Sequence, residues 1–347
     1  MPFRLALKNC ERFLICSRRR LICIGAVLSC VVLLNLLAYI HARAMTHYSA
    51  GGERTIPPER LSALDKVQVL FTGVIVPRPA NTATPADLGL KYQTHSIPRS
   101  GGLNVEVWRV PGHASRPVVI LFHGYGACKS QLLDEARVFH EFGCETWLVD
   151  FRGSGGSAGN ETTLGVYEAD DVASAIEFAK ESSGARPLVL YGKSMGSAAI
   201  LRAVAMAGAN PAAVIVECPF DRLLTTVENR FSAMGLPSFP FAQFLVFWGG
   251  VQQGMNGFAH NPVDYAASVR CPVLLMHGEL DPRISVPQVR SIYENFAGSK
   301  ELVLFPRAGH ESYLESDSER WKLAVGKFVD GANLDVKQAG LKSLMNK

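Results

Sequence analysis

Three residues far apart in the chain, Ser194, Asp281 and His310, are the types needed to attack a carbonyl carbon. A serine hydroxyl is a weak nucleophile at neutral pH. It needs an imidazole to take its proton and hand it to the leaving group, and a carboxylate to hold that imidazole in the right tautomer. Ser194 lies in Gly192-Lys193-Ser194-Met195-Gly196, after the apolar run 188–191 and before a helix-forming stretch at 197–207. Gly-x-Ser-x-Gly between a strand and a helix predicts a sharp turn that lifts the serine clear, with Gly192 and Gly196 supplying the missing side chains. Asp281 ends the buried-strand pattern that begins at Pro272, and His310 ends the one that begins at Glu301. The tetrahedral intermediate also needs donors for its oxyanion. The N–H of Met195 is one candidate, and the N–H of Tyr125, in His123-Gly124-Tyr125-Gly126 after the apolar run 118–122, is the other.

These residues can converge only if the elements before them line up. Strand and helix patterns alternate: strands at 118–122, 146–151, 188–193, 213–217, 273–277 and 302–305, with helices near 132–142, 167–180, 286–296 and 315–329. A strand pair at 92–110, turning at 99–102, precedes them. Such alternation predicts a mostly parallel sheet covered on both faces, with strand ends delivered to one edge. The order Ser, Asp, His and the motifs just quoted make the chain resemble an α/β-hydrolase of the serine-aminopeptidase-like and monoglyceride-lipase-like branch, nearest its membrane-anchored members related to prolyl oligopeptidase. Asp150-Phe151-Arg152-Gly153-Ser154-Gly155 fits the same pattern. The resemblance spans about 91–330 and implies the α/β-hydrolase fold, a helical lid, and hydrolysis by an acyl-enzyme route without metal or organic cofactor. Relatives often carry Arg-Ser-Leu at the elbow, where this chain has Lys193-Ser194-Met195.

The alternation breaks at 219–262, which holds Phe231, Phe239, Phe241, Phe244, Phe247, Trp248 and Phe258. That is too many rings for a solvated loop. A lid there is expected to wall an apolar substrate pocket and exclude water. The substrate class expected is a carboxylic ester, with peptide, amide or thioester bonds as the alternatives and a non-catalytic scaffold of the same fold as the reading from another class.

The amino terminus predicts an anchor. Residues 21–40 carry no charge, and their roughly 20 residues can cross a bilayer core of about 30 Å. Arg4, Lys8, Arg12, Arg18, Arg19 and Arg20 precede this span against Glu11, so the basic segment 1–20 is expected in the cytoplasm and the catalytic domain outside it. Cleavage at Ala42-Arg43-Ala44 as a signal peptide is the competing reading. Residues 41–90 then read as a stalk, 91–330 as the catalytic domain and 331–347 as a tail. A net charge of +4, with basic residues gathered at the amino terminus, gives no interleaved basic and aromatic surface for nucleic acid.

Other patterns compete weakly. Gly192-Lys193-Ser194 lacks the first glycine of a phosphate loop, because position 187 is Pro187. Gly153 to Ala158 matches a relaxed dinucleotide fingerprint without opening into a helix. Asp221 is a second candidate for the acid, and His123 and His277 are expected to be packed structural histidines. Cys128, Cys144, Cys218 and Cys271 lie near strand ends without metal-ligand spacing and read as small buried hydrophobes.

Overall fold

The computed structural model describes residues 2–57, 60–99 and 103–345, with side chains between 18 and 332. The basic side chains before Arg18, most of the 99–102 turn and the side chains of the tail beyond 332 therefore lie outside the described residues.

Eight strands form one sheet: β1 (Gln93–Pro98), β2 (Asn104–Val110), β3 (Val118–Phe122), β4 (Glu145–Val149), β5 (Leu188–Lys193), β6 (Ala213–Glu217), β7 (Val273–Gly278) and β8 (Lys300–Phe305). Their spatial order is β1-β2-β4-β3-β5-β6-β7-β8. Only the pairs β1–β2 and β2–β4 are antiparallel; all others run parallel. The central strands are short uninterrupted apolar runs, as a sheet buried on both faces requires, and every residue of β3, β4, β6 and β7 is buried.

Helices cover the two faces. In chain order they are α1 (Pro2–Thr46), α2 (Ala63–Thr72), α3 (Leu133–Glu141), α4 (Glu168–Ser183), α5 (Met195–Met206), α6 (Leu223–Ala233), α7 (Phe241–Gln253), α8 (Pro262–Tyr265), α9 (Val286–Asn295), α10 (Tyr313–Ser316) and α11 (Ser318–Met345). The helices α6 and α7 and a short 3₁₀ turn occupy the expected lid segment 219–262, and α8 begins where it ends. The core between sheet and helices is apolar, with Trp147, Tyr191 and Trp321 its largest fully buried rings.

Two features were not evident from the sequence. First, α1 does not stop where the uncharged run stops. It continues to Thr46, because nothing in His41-Ala-Arg-Ala-Met breaks a helix. From Arg18 to Thr46 it is long and apolar enough to cross a membrane. Second, the residues expected to form a stalk lie against the body. Ser49 pairs with Pro77 in an isolated bridge, the Arg78 guanidinium donates to the carbonyls of Gly155, Ser157 and Gly159, and α2 forms within this stretch. The signal for α2 is a capping box: the Ser62 hydroxyl accepts from the Asp65 N–H at 3.2 Å, and the Asp65 carboxylate accepts from the Ser62 N–H at 3.3 Å.

Candidate active site

Ser194 stands between β5 and α5 with φ 51° and ψ −109°, a conformation that L-residues adopt only when the surroundings hold them in it. The two glycines explain why it can be held. A Cβ at Gly192 would come within 2.7 Å of the Gly196 backbone, and one at Gly196 within 2.4 Å of the Phe122 carbonyl. Strand, turn and helix therefore cross at a distance that only hydrogen permits.

Asp281 follows β7 and His310 follows β8, and the loops that carry them are laced together. The N–H of Glu279 donates to the Phe305 carbonyl (3.0 Å) and that of Leu280 to the Ala308 carbonyl (3.0 Å). Gly278 allows the approach, since a Cβ there would meet the Ala308 carbonyl at 2.4 Å. This is the use of the glycine in the His277-Gly278 pair.

The structure brings Ser194, His310 and Asp281 into one line. His310 Nδ1 lies 2.6 Å from Asp281 Oδ2, and His310 Nε2 lies 3.2 Å from Ser194 Oγ. The other carboxylate oxygen of Asp281 accepts the N–H groups of Arg283 (2.8 Å) and Ile284 (3.1 Å). Burial works to raise the Asp281 pKa, but the hydrogen bond and charge of His310 and these two N–H groups outweigh it and hold the carboxyl below its ordinary value. An ionised acid fixes the proton on Nδ1, which leaves Nε2 free to accept from a serine hydroxyl.

Gly124 brings the first strand-end loop against the elbow: a Cβ on it would lie 3.7 Å from the Ser194 Cβ. Tyr125 is the next residue, and Met195 is the buried first residue of α5, whose N–H belongs to the helix end left without intrahelical acceptors. The hydroxyl of Tyr125 donates to the Met45 carbonyl (2.7 Å) and Arg54 Nη1 donates to the Gly126 carbonyl (2.6 Å). Residues from the end of α1 and from the segment after it thus hold the loop from outside.

The remaining sequence candidates fall elsewhere. Asp221 accepts from Gln288 Nε2 at 3.2 Å, and no bond to His310 is recorded for it among the described residues. His123 accepts the Phe151 N–H at Nε2 (3.1 Å) and lies 2.8 Å from the Gly124 carbonyl at Nδ1, while His277 meets the Ile284 carbonyl (3.1 Å). Burial pushes the pKa of both down, so each is a neutral, packed imidazole. The Gly153–Gly156 loop wraps the Asp150 carboxylate, which accepts from the Gly156 N–H (2.8 Å) and the Lys129 N–H (2.7 Å). With its donor turned inward to that carboxylate, the loop does not form a dinucleotide cradle.

A buried polar cluster beneath the elbow was not foreseen. Lys193 Nζ lies 3.0 Å from Glu135 Oε1, which also accepts from Ser312 Oγ (3.3 Å), so α3 ties the serine turn to the histidine loop. Glu217 accepts from Trp321 Nε1 (2.6 Å). Its only sequence trace is the lysine at position 193, a long cation in a run otherwise buried. Burial, resisted by Lys193 and reinforced by Glu135, pushes the Glu217 carboxyl from 4.5 up to about 7. A carboxyl raised in the folded state binds its proton there after the unfolded chain has lost it, so its contribution to stability is present at low pH and lost as pH rises through that window. Glu217→Gln is therefore expected to flatten the pH dependence of Tm between about pH 4.5 and pH 7. Parallel pH profiles of Tm for the two proteins would contradict this.

Comparison with known proteins agrees with this architecture. The esterase Pf2001 of Pyrococcus furiosus superposes with a TM-score of 0.62 at 22% identity, over 81% of this chain and 98% of that one. The chain has the α/β-hydrolase fold. A family model described as serine aminopeptidase, S33, matches residues 113–241, a stretch that holds the Tyr125 loop and the Ser194 turn and ends before Asp281 and His310. Among curated relatives, the uncharacterized protein YqkD of Bacillus subtilis is 26% identical over 240 residues, 68% of this chain and 79% of its own. The lysophosphatidylserine lipase ABHD12 of Danio rerio is 24% identical over 266 residues, 67% of this chain and 66% of its own. The matched region thus spans just under two thirds of that lipase.

Proposed function

We propose that this protein is a membrane-anchored serine hydrolase that cleaves carboxylic esters through an acyl-enzyme, with Ser194 as nucleophile, His310 as base and Asp281 as the orienting acid. The observation that carries the reading is the bridging of Ser194 and Asp281 by one imidazole. As Ser194 Oγ attacks the acyl carbon, its proton passes to His310 Nε2, and the N–H groups of Tyr125 and Met195 receive the oxyanion. Collapse of the intermediate breaks the ester C–O bond, and His310 returns the proton to the departing alcohol. Water then repeats the sequence on the acyl-enzyme and releases the acid.

The similarity to an esterase and to a lipase supports ester chemistry. The S33 description favours an aminopeptidase as the second reading. A peptidase of that kind needs a carboxylate to hold the substrate ammonium, and the three in or beside the lid have other bonds. Asp221 accepts from Gln288, Glu228 accepts from Gln243 (3.0 Å), and Asp264 accepts from Asn261 (3.0 Å).

For topology, the basic residues before the span support a cytoplasmic amino terminus and an extracytoplasmic catalytic domain. Ala42 is buried, and Gln252 Nε2 of the lid donates to the Tyr39 carbonyl of α1 at 2.8 Å. This contact supports an uncleaved anchor, since cleavage after Ala44 would strip the lid of its partner.

The test is a hydrolysis series on acyl esters of increasing length, set beside peptidyl amides with free amino termini. Each buried methylene contributes about 0.8 kcal/mol, so kcat/KM is expected to rise by roughly fourfold per carbon and then level off. Faster cleavage of the amides would overturn the esterase reading and make those three carboxylates the next to substitute.

A further inference from the structure

The lid was expected to turn its rings toward a substrate pocket. Several instead face away from the core: Phe239 is 75% exposed, and Phe247 and Phe258 are also exposed, as is the apolar Val251. These residues lie on the lid that carries α7, and α7 is the helix against which α1 packs. Trp248 Nε1 donates to Asn35 Oδ1 (3.1 Å), Gln252 Nε2 donates to the Tyr39 carbonyl (2.8 Å), and the Tyr39 and Trp248 rings meet edge to face at 5.4 Å.

On α1 itself, Leu21, Val27, Val32 and Leu36 are exposed along the apolar run, while Ala38 and Ala42 are buried. Among its described side chains, only those of the last turns are covered by protein. A second element joins α1 at the same level: His41 Nε2 contacts the Leu70 carbonyl of α2 at 2.9 Å. The helix α2 has ten residues, none of them buried, yet it displays Leu64, Val67, Leu70 and Phe71, with Leu64 83% and Phe71 68% exposed. Isolated helices of that length are marginal in water, and a capping box alone does not change that. Its unpaired apolar residues need an apolar partner.

We propose that α2 and α7 are seated in the outer interface of the bilayer beside α1, so that the enzyme rests its lid in the membrane and takes its acyl ester from the lipid phase. This rests on the reading of α1 as a membrane span. Depth supports it. Asn35 lies five residues inside Ile40, the end of the uncharged run, or roughly 7.5 Å at about 1.5 Å per residue, and helices lying in the interface bury their apolar face about 5–10 Å. Trp248, bonded to Asn35, is drawn to that depth with the rest of α7. The catalytic centre is close by, because Met45, in the last turn of α1, accepts the hydroxyl of Tyr125, the residue after Gly124 beside Ser194. The bilayer surface and the nucleophile are thus linked through a single tyrosine.

The full-length protein in phosphatidylcholine vesicles or nanodiscs tests this. Of its four tryptophans, Trp108, Trp147 and Trp321 are buried in the core, so lipid quenching reads Trp248. Lipids brominated near the headgroup end of the acyl chain are expected to quench Trp248, and in a Trp248→Phe background to quench the indole introduced by Phe71→Trp. The combined substitution Leu64→Ser, Val67→Ser and Phe71→Ser is expected to lower kcat/KM on a vesicle-embedded acyl ester on the order of tenfold while leaving a short water-soluble ester unaffected. Unquenched indoles would overturn the proposal, and so would an equal loss on both esters. Assembly into dimers that the three serines abolish, without quenching, would instead give the surface to a second copy of the chain. Failure of the catalytic reading has a different signature: the soluble ester would not turn over, whereas quenching would persist.

Discussion

Ser194→Ala is expected to remove about six orders of magnitude of turnover while leaving Tm nearly unchanged. The size follows from the chemistry, since without the hydroxyl no acyl-enzyme can form and only the oxyanion donors and binding remain. Stability should survive because, among the described residues, the one side-chain hydrogen bond of this serine is the 3.2 Å contact with His310, and the imidazole keeps its stronger partner, Asp281. The turn itself tolerates a methyl group: residue 194 already carries a Cβ at φ 51°, so alanine adds no new clash. Rates of hydrolysis and thermal denaturation of the two proteins check both halves. A variant that kept a few per cent of activity would move the nucleophile elsewhere.

Asp281→Asn is expected to cost about 10⁴ in kcat. One carboxylate oxygen accepts the N–H groups of Arg283 and Ile284, and the other faces His310. An amide placed there must keep its oxygen toward the two backbone donors, or bury its own donors against them. Its NH₂ is then directed at His310 Nδ1, which can only accept, so the imidazole proton moves to Nε2 and faces Ser194. The base is thereby converted into the wrong tautomer. Steady-state kinetics on a short soluble ester measures the loss, and the imidazole proton resonance in NMR reports which nitrogen carries it. If Asp221→Asn proves the more damaging substitution, the acid has been misassigned.

The parts of the structure legible in the sequence are those fixed by local pattern. The strands β3 to β8 could be read because each is a short apolar run, and the elbow because Gly192 and Gly196 flank the serine at the spacing a strand-helix crossing imposes. Asp281 and His310 could be read from their place after two such runs. What escaped depends on partners far away in the chain. The lid rings were visible, but that Trp248 is held by Asn35 of α1, some two hundred residues earlier, was not. Glu135 looks like an ordinary helix-surface acid, and only the folded chain shows it bridging Lys193 and Ser312. The capping box of α2 was present in Ser62 and Asp65, yet an apolar helix with nothing beneath it is hard to anticipate where the surrounding residues read as a tether.

The most direct test of the central claim is reaction of the full-length protein with a fluorophosphonate probe, followed by mass spectrometry of the modified peptide. An activated serine should be phosphonylated at Ser194 alone, with labelling abolished in Ser194→Ala and strongly slowed in His310→Ala, because reaction needs the hydroxyl proton removed. Absence of labelling, or a modified serine outside the Gly192 to Gly196 turn, would contradict the account.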